Sequence, residues 1–368
     1  MKITYLASSI IPSRSANSIH VMKMCQAFAK NGHEVALIVP NRKDEIEQGV
    51  DDVYEFYGVE RCFRIERVRW YDVKGRDHLF GLLAALKAKG LKPDIVYSRA
   101  IAGAYFAAKL GLPSIFESHA PAYYSGKVSE RFFMALSKSA SLKKLVVITH
   151  SLKEYHEQHY PHTKPKIQVA PDGADFVIQD FQHKPSNTNR VFKVGYVGHL
   201  YKGRGIDIII RLAEDCPWAE FHLVGGNSED LQFWKNNTTL VNLHFHGFVP
   251  HAQTIKLLTG FDALLAPYQY SVSTAAGNDT VKWMSPLKIF EYMSTGIPVI
   301  ASDLPVLREV LHHERNALLC PPNDILAWKS SLEMLKDNPE LGSNIAKNAL
   351  ADFLRNYTWQ ARTSNVLE

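Results

Sequence analysis

Short apolar runs rich in valine and isoleucine alternate along this sequence with longer stretches of helical periodicity. Runs that are apolar on both faces are typical of parallel β-strands covered by helices on both sides of the sheet. A chain that alternates strand and helix in this way forms an α/β structure, and right-handed crossovers make it doubly wound. Thirteen strands are predicted, near residues 2–6, 35–39, 63–67, 95–97, 114–117, 145–149, 167–169, 192–197, 220–224, 242–245, 263–266, 298–301 and 317–319.

The alternation restarts once, after the turn cluster Pro171–Asp175 and the polar stretch Gln182–Arg190. At roughly 100–200 residues per domain, a chain of 368 residues is expected to form two domains. We predict an N-terminal domain over 1–175, a C-terminal domain over 176–350, and a final segment, 351–368, that packs back on the N-terminal domain. Two doubly wound sheets are expected to face each other across a cleft, with ligands at the carboxyl ends of their strands.

Composition excludes several classes of protein. Apolar residues make up 46% and charged residues 21% of the chain, which indicates packed cores and not disorder. The net charge of +5 suits an anionic small molecule or membrane surface, and no basic run with interleaved aromatics indicates nucleic acid. The four cysteines are scattered, which favours a reduced, cytoplasmic protein. No apolar run reaches the roughly 18 residues that a membrane span needs, and the first run is interpreted as a strand rather than a signal peptide.

The segment Ser285–Asp303 contains the clearest helix signals of the second half. Ser285 suits the N-cap position and Pro286 the first helical position, while Gly296 marks the end. The sequence therefore predicts a helix of two to three turns whose amino end points into the cleft. Such an end binds anions, because its free N–H groups and the helix dipole are both positive.

Two charged residues near this helix start suggest a nucleotide. Lys288 and Glu291 are three residues apart and therefore share a face. The lysine can neutralise a phosphate, and the carboxylate can accept hydrogen bonds from a ribose diol. An ordinary capped helix with a surface Lys–Glu pair is the alternative interpretation.

A second segment, Val194–Asp207, leaves a predicted strand through a glycine-rich loop. Gly198 permits close approach of the backbone to a ligand, and Lys202 and Arg204 supply cations for a pyrophosphate. The segment contains neither G-x-G-x-x-G nor G-K-[ST], which disfavours a dinucleotide or ATP site of those kinds. A plain strand–helix turn with solvated basic residues is equally compatible with this pattern.

These two segments resemble retaining glycosyltransferase family 4, whose GT-B fold has two facing Rossmann-like domains. Further similar stretches occur in the family's order along nearly the whole chain. They are the opening 8–21, the helix-to-strand passage 27–35, the strand end 116–119, the hinge 171–175 and the closing segment 357–362.

The resemblance implies a nucleoside diphosphate sugar as donor, bound mainly by the second domain. The diphosphate is expected at the helix start and the basic loop, the ribose at Glu291 and the base at the loop around Phe248. The residues expected to bind the nucleotide are Gly198, Lys202, Arg204, Phe248, Ser285, Leu287, Lys288 and Glu291.

The resemblance also implies roles in the first domain. His119 takes the place of the family's active-site histidine and is expected to face the transferred sugar, and the acceptor is expected near Asn17. The chain departs from the family pattern in three places: Trp283 stands where a first glutamate is usual, and His199 stands where a loop arginine is usual. The usual double glycine of the first loop is absent, and Asn17 and Ser18 occupy that region. Contacts to the donor sugar are therefore the least constrained part of the prediction.

No metal ion is expected in catalysis. The sequence has no D-x-D pair, and His244 and His246 share one face of a strand without a cysteine or carboxylate at ligand spacing. No other cofactor is expected, because the nucleoside diphosphate sugar is itself the donor substrate.

The expected function is transfer of a hexosyl or N-acetylhexosaminyl group, with retention, to a carbohydrate or lipid-linked acceptor in cell-surface polysaccharide or glycolipid synthesis. The alternatives are a nucleotide-sugar epimerase of the same fold and a non-catalytic sugar-nucleotide binding partner. The basic amphipathic stretch Ser129–Lys144 suggests peripheral contact with the inner membrane surface. A core helix with a solvated basic face explains that stretch equally well.

Overall fold

The chain divides into two compact units. The first unit contains Met1–Asp172 together with Trp359–Glu368, and the second contains Gly173–Thr358; we call them the first and second domains. The computed structural model describes residues 1–176, 190–201, 203–249, 251–272 and 279–368, without the side chains of residues 251, 252, 255 and 256.

The first domain is built on a seven-stranded parallel sheet of order β3-β2-β1-β4-β5-β6-β7. Its strands are β1 (Lys2–Leu6), β2 (Glu34–Asn41), β3 (Arg64–Arg69), β4 (Ile95–Ser98), β5 (Ser114–Ser118), β6 (Leu142–Val147) and β7 (Ile167–Val169). Its helices in this part of the chain are α1 (Ala16–Lys30), α2 (Val53–Phe56), α3 (Arg76–Leu91), α4 (Ile101–Lys109), α5 (Lys127–Ser137) and α6 (His150–His159).

The second domain is built on a six-stranded parallel sheet of order β10-β9-β8-β11-β12-β13. Its strands are β8 (Phe192–Val197), β9 (Ala219–Val224), β10 (Leu243–Gly247), β11 (Ala263–Ala266), β12 (Val299–Ser302) and β13 (Leu318–Cys320). Its helices are α7 (Ile206–Asp215), α8 (Ser228–Asn236), α9 (His251–Leu258), α10 (Leu287–Met293), α11 (Ile325–Asp337) and α12 (Pro339–Asn356). Both sheets have the strand order of Rossmann-like doubly wound folds.

The apolar runs of the strands follow from burial on both faces of each sheet. In β11, Leu264 and Ala266 belong to one buried cluster of the second domain, while Ala263 and Leu265 belong to another. Successive side chains of a strand point to opposite faces. A strand whose two faces are both covered therefore consists mostly of apolar residues, which is why the sequence identifies these strands clearly.

The last helix, α13 (Trp359–Leu367), lies in the first domain, whereas α12 lies in the second. The sequence predicts a C-terminal segment from residue 351, but the structure starts it at Trp359. The reason is that α12 runs on to Asn356 and packs Ala349 and Phe353 into a core cluster of the second domain.

The predicted start of the helix after Ser285 is wrong by one residue. Helix α10 begins at Leu287, its N-cap is Pro286 with a ψ of 122°, and no side chain caps it. The ψ of 122° puts Pro286 itself in an extended conformation, so Pro286 takes the N-cap position that was expected for Ser285. The helix is two turns long, and its first turn closes with the amide of Ile289 donating to the carbonyl of Pro286 at 3.0 Å.

The basic stretch Ser129–Lys144 is not one amphipathic helix. Helix α5 ends at Ser137, and the chain enters β6 at Leu142, so the predicted strand near 145–149 starts earlier and ends at Val147. Phe133 and Leu136 of α5 are buried in the protein. Among the described helices, none combines the length and apolar character that crossing a bilayer requires.

Candidate functional site

A cavity of about 930 Å³ lies in the first domain where the strand order reverses between β1 and β4. Crevices at such reversal points, at the carboxyl ends of the strands, are the usual ligand sites of doubly wound sheets. The wall includes Ser8 after β1, Arg99 after β4 and His119 after β5, together with Asn17 in the first turn of α1. The structure therefore brings the predicted residues His119 and Asn17 to one cavity.

A buried carboxylate, Glu117, organises the floor of this cavity. Its oxygen Oε1 lies 2.5 Å from His119 Nε2 and 3.1 Å from His20 Nε2. The guanidinium of Arg362 contacts both carboxylate oxygens, with Nη2 3.1 Å from Oε1 and Nη1 donating to Oε2 at 3.2 Å. The hydroxyl of Tyr97 donates to Oε2 as well. Glu117 is thus satisfied from four sides in the interior.

Arg362 holds Glu117 ionised. Burial alone would raise the pKa of Glu117, but Arg362 and then His20 outweigh it and hold that pKa well below its usual value. Arg362 is anchored in turn by donating to the carbonyl oxygens of Pro171 at 2.8 Å and Ala170 at 3.1 Å. A residue of α13 therefore sets the charge state of a carboxylate at the end of β5.

The hydrogen bonds define the tautomer of His119. An ionised carboxylate only accepts hydrogen bonds, so the proton between Glu117 and His119 belongs to Nε2. Burial, and then the positive charge of Arg99, lower the pKa of His119 to about 4. The ring is therefore neutral at physiological pH, and Nδ1 carries a lone pair that can accept a hydrogen bond.

His20 has the same tautomer as His119, with the proton on Nε2. Arg99 Nη1 lies 2.9 Å from His20 Nδ1, and an arginine can only donate, so Nδ1 of His20 is the acceptor. Its Nε2 then carries the proton and faces Glu117 Oε1 at 3.1 Å and Asp172 Oδ1 at 3.2 Å. The two imidazole rings meet edge to face with their centroids 5.1 Å apart.

Most of this network is absent from the sequence prediction. Glu117 in β5 and His119 directly after it are two residues apart and so lie on one side of the strand, which is a signal that could have paired them. Arg99 follows β4 directly, as His119 follows β5. Arg362 is 245 residues from Glu117 and no sequence pattern relates the two.

A second group of predicted residues lies in the second domain, where its sheet reverses order between β8 and β11. Gly198 follows β8 and Tyr268 follows β11, while Lys288 stands in the first turn of α10. Gly198 has a φ of +147°, and a Cβ there would lie 2.9 Å from Lys288 Nζ. Glycine at this position leaves room for the ammonium group.

Lys288 is buried against aromatic rings. Its Nζ lies 3.9 Å from the centroid of Tyr196 and 5.0 Å from that of Tyr268. It has no hydrogen-bond partner among the described residues. Burial, and then the charge of Arg204, lower the pKa of Lys288 well below its usual value.

Arg204 lies against Tyr268, one of the two tyrosines that contact Lys288. Its guanidinium carbon is 5.5 Å from the centroid of Tyr268, its Nη2 donates to the hydroxyl of Tyr201 at 3.2 Å, and its Nε is buried without a hydrogen-bond partner. Within the described part of the chain, no carboxylate oxygen forms an ion pair with Arg204 or Lys288. Two cations thus lie together with aromatic rings, and no anion of the described residues neutralises them by contact.

The remaining residues predicted to bind the nucleotide are Ser285, Leu287, Glu291, Phe248 and Lys202. Ser285 and Leu287 are half-buried at the start of α10, and Glu291 is half-buried one turn further on. Phe248 follows β10 and is 41% exposed. Lys202 lies outside the described residues, so its predicted contact stays a prediction.

The two sheets define an α/β protein of two Rossmann-like domains, the GT-B architecture. Family comparisons agree with this fold: residues 18–176 match the model described as "Glycosyltransferase Family 4", and residues 178–352 match "Glycosyl transferases group 1". The chain belongs among the GT-B glycosyltransferases of group 1.

Individual relatives are distant. The chain is 25% identical over 151 residues to an uncharacterized glycosyltransferase of Haemophilus influenzae, covering 39% of either chain. It is 26% identical over 196 residues to the alpha-galactosylglucosyldiacylglycerol synthase of Streptococcus pneumoniae, covering 50% of this chain and 47% of that protein. The aligned segments thus span less than half the length of these curated relatives.

A solved structure shows the same fold over the whole chain. Anabaena HepE in complex with UDP superposes with a TM-score of 0.74 at 15% identity, covering 100% of this chain and 98% of HepE. At that identity the likeness shows the architecture and leaves the chemistry to be argued from the residues.

The buried Glu117–Arg362 pair gives a stability prediction. In Arg362→Met, Glu117 is left buried without its main cation, and breaking such a pair costs about 3–5 kcal/mol. Denaturant unfolding followed by a first-domain probe should show this loss. The exposed pair Arg308–Asp303 provides the control, because Arg308→Met should change the free energy of unfolding far less.

In Arg362→Met, the dependence of the free energy of unfolding on pH should also reverse. In the native protein the lowered pKa of Glu117 contributes stability above about pH 4.3, the usual value of a free glutamate, and this contribution is lost as the pH falls through the folded value. Without Arg362, burial dominates and raises that pKa, so the variant should gain stability as the pH falls. A loss as small as that of Arg308→Met, with an unchanged pH profile, would contradict the assigned role.

Proposed function

We propose that this protein transfers a sugar from a nucleoside diphosphate sugar to an acceptor hydroxyl with retention at the anomeric carbon. The observation that carries the proposal is the pair of cations Lys288 and Arg204, which lie together without a carboxylate partner in contact. Charges removed from water in this way cost free energy unless an anion compensates them. A diphosphate supplies that anion, with several acceptor oxygens for both side chains.

The neighbouring residues provide contacts for the rest of the nucleotide. Glu291 follows Lys288 by three residues on α10 and would accept the ribose hydroxyls, while Phe248 after β10 would contact the base. Gly198, Ser285 and Leu287 would line the phosphate site with backbone groups. Support comes from HepE, which was solved with UDP and also with UDP-glucose.

His119 would contact the transferred sugar in this proposal. Its Nδ1 lone pair would accept a hydrogen bond from a sugar hydroxyl, while Glu117 fixes the ring through Nε2. With a pKa of about 4, His119 is too weak a base to remove the acceptor proton. The bond from the anomeric carbon to the phosphate oxygen would break, the acceptor oxygen would bond to the same face, and the leaving phosphate would take the acceptor proton.

Retention at the anomeric carbon follows from this proposed proton transfer. Because the leaving phosphate takes the proton, the acceptor must approach on the side that the phosphate leaves. Lys288 and Arg204 would stabilise the charge that develops on the diphosphate, which is the part that a divalent metal plays in other transferases. In the first domain, Arg362 and Arg99 contact the His20–Glu117 cluster and repel a divalent cation, so we propose a reaction without a metal.

The acceptor is proposed to be a carbohydrate or lipid-linked saccharide that enters the first-domain cavity near Asn17. The relative of Streptococcus pneumoniae is named as a glycolipid synthase, which supports cell-surface glycolipid or polysaccharide synthesis. Exposed Arg131 and Met134 on α5 and Lys138 at its end would provide a peripheral contact with an anionic inner membrane surface.

Lys288→Met tests the nucleotide site. Losing one charged hydrogen bond of about 1.5–3 kcal/mol should weaken nucleoside diphosphate binding by about 10–100-fold. The same change removes a buried ammonium without a hydrogen-bond partner, so thermal stability without nucleotide should be kept or raised. Calorimetric titration with UDP and GDP, and thermal unfolding, measure the two effects.

The exposed lysine of α8, Lys235, provides the matched control, since Lys235→Met should leave both quantities unchanged. If Lys288→Met binds every nucleoside diphosphate as well as the native protein does, the phosphate site lies elsewhere.

His119→Ala tests the catalytic assignment. Loss of a contact made to the reacting sugar should lower kcat by about 100-fold and leave donor affinity within about threefold, because the nucleotide contacts lie in the second domain. Product formation is measured with a labelled nucleotide sugar and an acceptor mixture. The control is His162→Ala. His162 is an exposed histidine of the same domain, and its replacement should leave kcat and donor affinity unchanged.

Three outcomes would contradict this function. Equal losses of kcat and donor affinity in His119→Ala would make the histidine a binding contact only. A sugar altered by the native protein without any acceptor would indicate an epimerase. Tight nucleotide binding with neither transfer nor slow hydrolysis would indicate a non-catalytic binding protein.

A further inference from the structure

Four side chains with metal-binding chemistry lie on one face of the strands β9 and β10. Glu220 and His222 alternate along β9, His244 and His246 alternate along β10, and the register pairs His244 with His222. The donor atoms of Glu220, His222 and His244 all lie within 4.8 Å of one another. The carboxylate that sequence spacing did not find for the two histidines of β10 is therefore supplied by the neighbouring strand.

His222 has one ring nitrogen in a hydrogen bond and the other available as a ligand. Its Nδ1 lies 3.0 Å from His246 Nε2, which is a hydrogen bond between the two rings. Its Nε2 is buried and has no hydrogen-bond partner among the described residues.

The distance between the donors of His222 and Glu220 is close to the spacing of two ligands on one small cation. His222 Nε2 lies 3.5 Å from Glu220 Oε2, which is too long for a good hydrogen bond. Two ligands bound to one zinc ion at 2.0–2.1 Å in tetrahedral geometry lie about 3.3 Å apart. Two imidazoles and one carboxylate are a donor set that Zn²⁺ accepts readily, with water as the fourth ligand.

We propose that Glu220, His222 and His244 bind one zinc ion, and that His246 orients His222 through the hydrogen bond to Nδ1. Metal-bound histidines are usually fixed by such a bond at their other nitrogen. The ion replaces a weak contact of Glu220 with Lys193, whose Nζ is 3.7 Å away and whose side chain is 44% exposed. Lys193 can turn into water at little cost.

The ion would act as a structural link. Strand β10 is at the edge of the sheet and pairs only with β9, so zinc ligands from both strands would fasten that edge. Glu220 and His244 lie near the amino ends of their strands, whereas the proposed nucleotide residues follow the carboxyl ends. The zinc site is therefore separate from the proposed transfer reaction and does not depend on it.

The test is zinc binding by the whole chain after removal of metals with a chelator. Titration of zinc against a chromogenic chelator should show one ion per chain. His222→Gln and His244→Gln should each weaken the binding by about 100-fold, and His246→Gln by about 10-fold. Co²⁺ should give the intense visible absorption of a tetrahedral site in the native protein and not in His222→Gln or His244→Gln.

The matched control is His313→Gln. His313 Nε2 lies 3.7 Å from Glu314 Oε1 on the surface, and neither residue belongs to the proposed zinc site. The control should keep the native zinc affinity. Zinc should also raise the thermal midpoint of the native chain and of the control, but not that of His244→Gln, whose residue is only half-buried and whose fold is checked by circular dichroism.

Two results would overturn the proposal. One is the absence of a stoichiometric zinc ion in the native chain. The other is equal zinc affinity in the native protein, His222→Gln and His244→Gln, because the ion would then be bound elsewhere, for example at the His20–Glu117 cluster of the first domain or at a cysteine.

Discussion

The second domain brings two cations, Lys288 and Arg204, together without a contacting carboxylate among the described residues. The proposed ligand site of that domain depends on this arrangement. Lys288 is buried against Tyr196 and Tyr268, and Arg204 shares the second of these rings. Aromatic faces attract cations but do not neutralise them. Burial, and then the repulsion from Arg204, lower the pKa of Lys288 well below its usual value. Such an arrangement is costly for stability alone, and a polyanionic ligand offsets it.

The first domain contains the opposite arrangement, in which a buried carboxylate is fully compensated. Glu117 is bound by His119, His20, Tyr97 and Arg362, and the last of these comes from the final helix of the chain. The compensation keeps Glu117 ionised and thereby defines which nitrogen of His119 carries the proton. The final ten residues are thus part of the site and not an appendage.

The strands could be predicted from the sequence because a strand that is buried on both faces consists mostly of apolar residues. Strands β1, β7, β8 and β11 have the predicted bounds, whereas β6 starts three residues early because Lys143 and Lys144 interrupt its apolar pattern. The start of α10 was predictable only approximately, since Ser285 and Pro286 are both favourable near a helix start.

The candidate site was predictable only in part, for reasons of distance along the chain. Lys288 and Arg204 are found from local motifs, and the structure places both against Tyr268, which no motif indicated. Three partners of Glu117, namely His20, Tyr97 and Arg362, come from α1, β4 and α13, so neither periodicity nor spacing relates them to it. The same is true of His222 and His244, which are joined by strand pairing alone.

The central claim is that Lys288 and Arg204 are built to receive two linked phosphates, and calorimetry with nucleotides of different length tests it most directly. Diphosphates should bind at least about tenfold more tightly than the corresponding monophosphates, since each additional charged hydrogen bond contributes about 1.5–3 kcal/mol. Above the lowered pKa of Lys288, binding should also take up a proton, because the anion favours the charged ammonium. Equal affinity for mono- and diphosphates, with no proton uptake at any pH between 6 and about 10, would contradict the account.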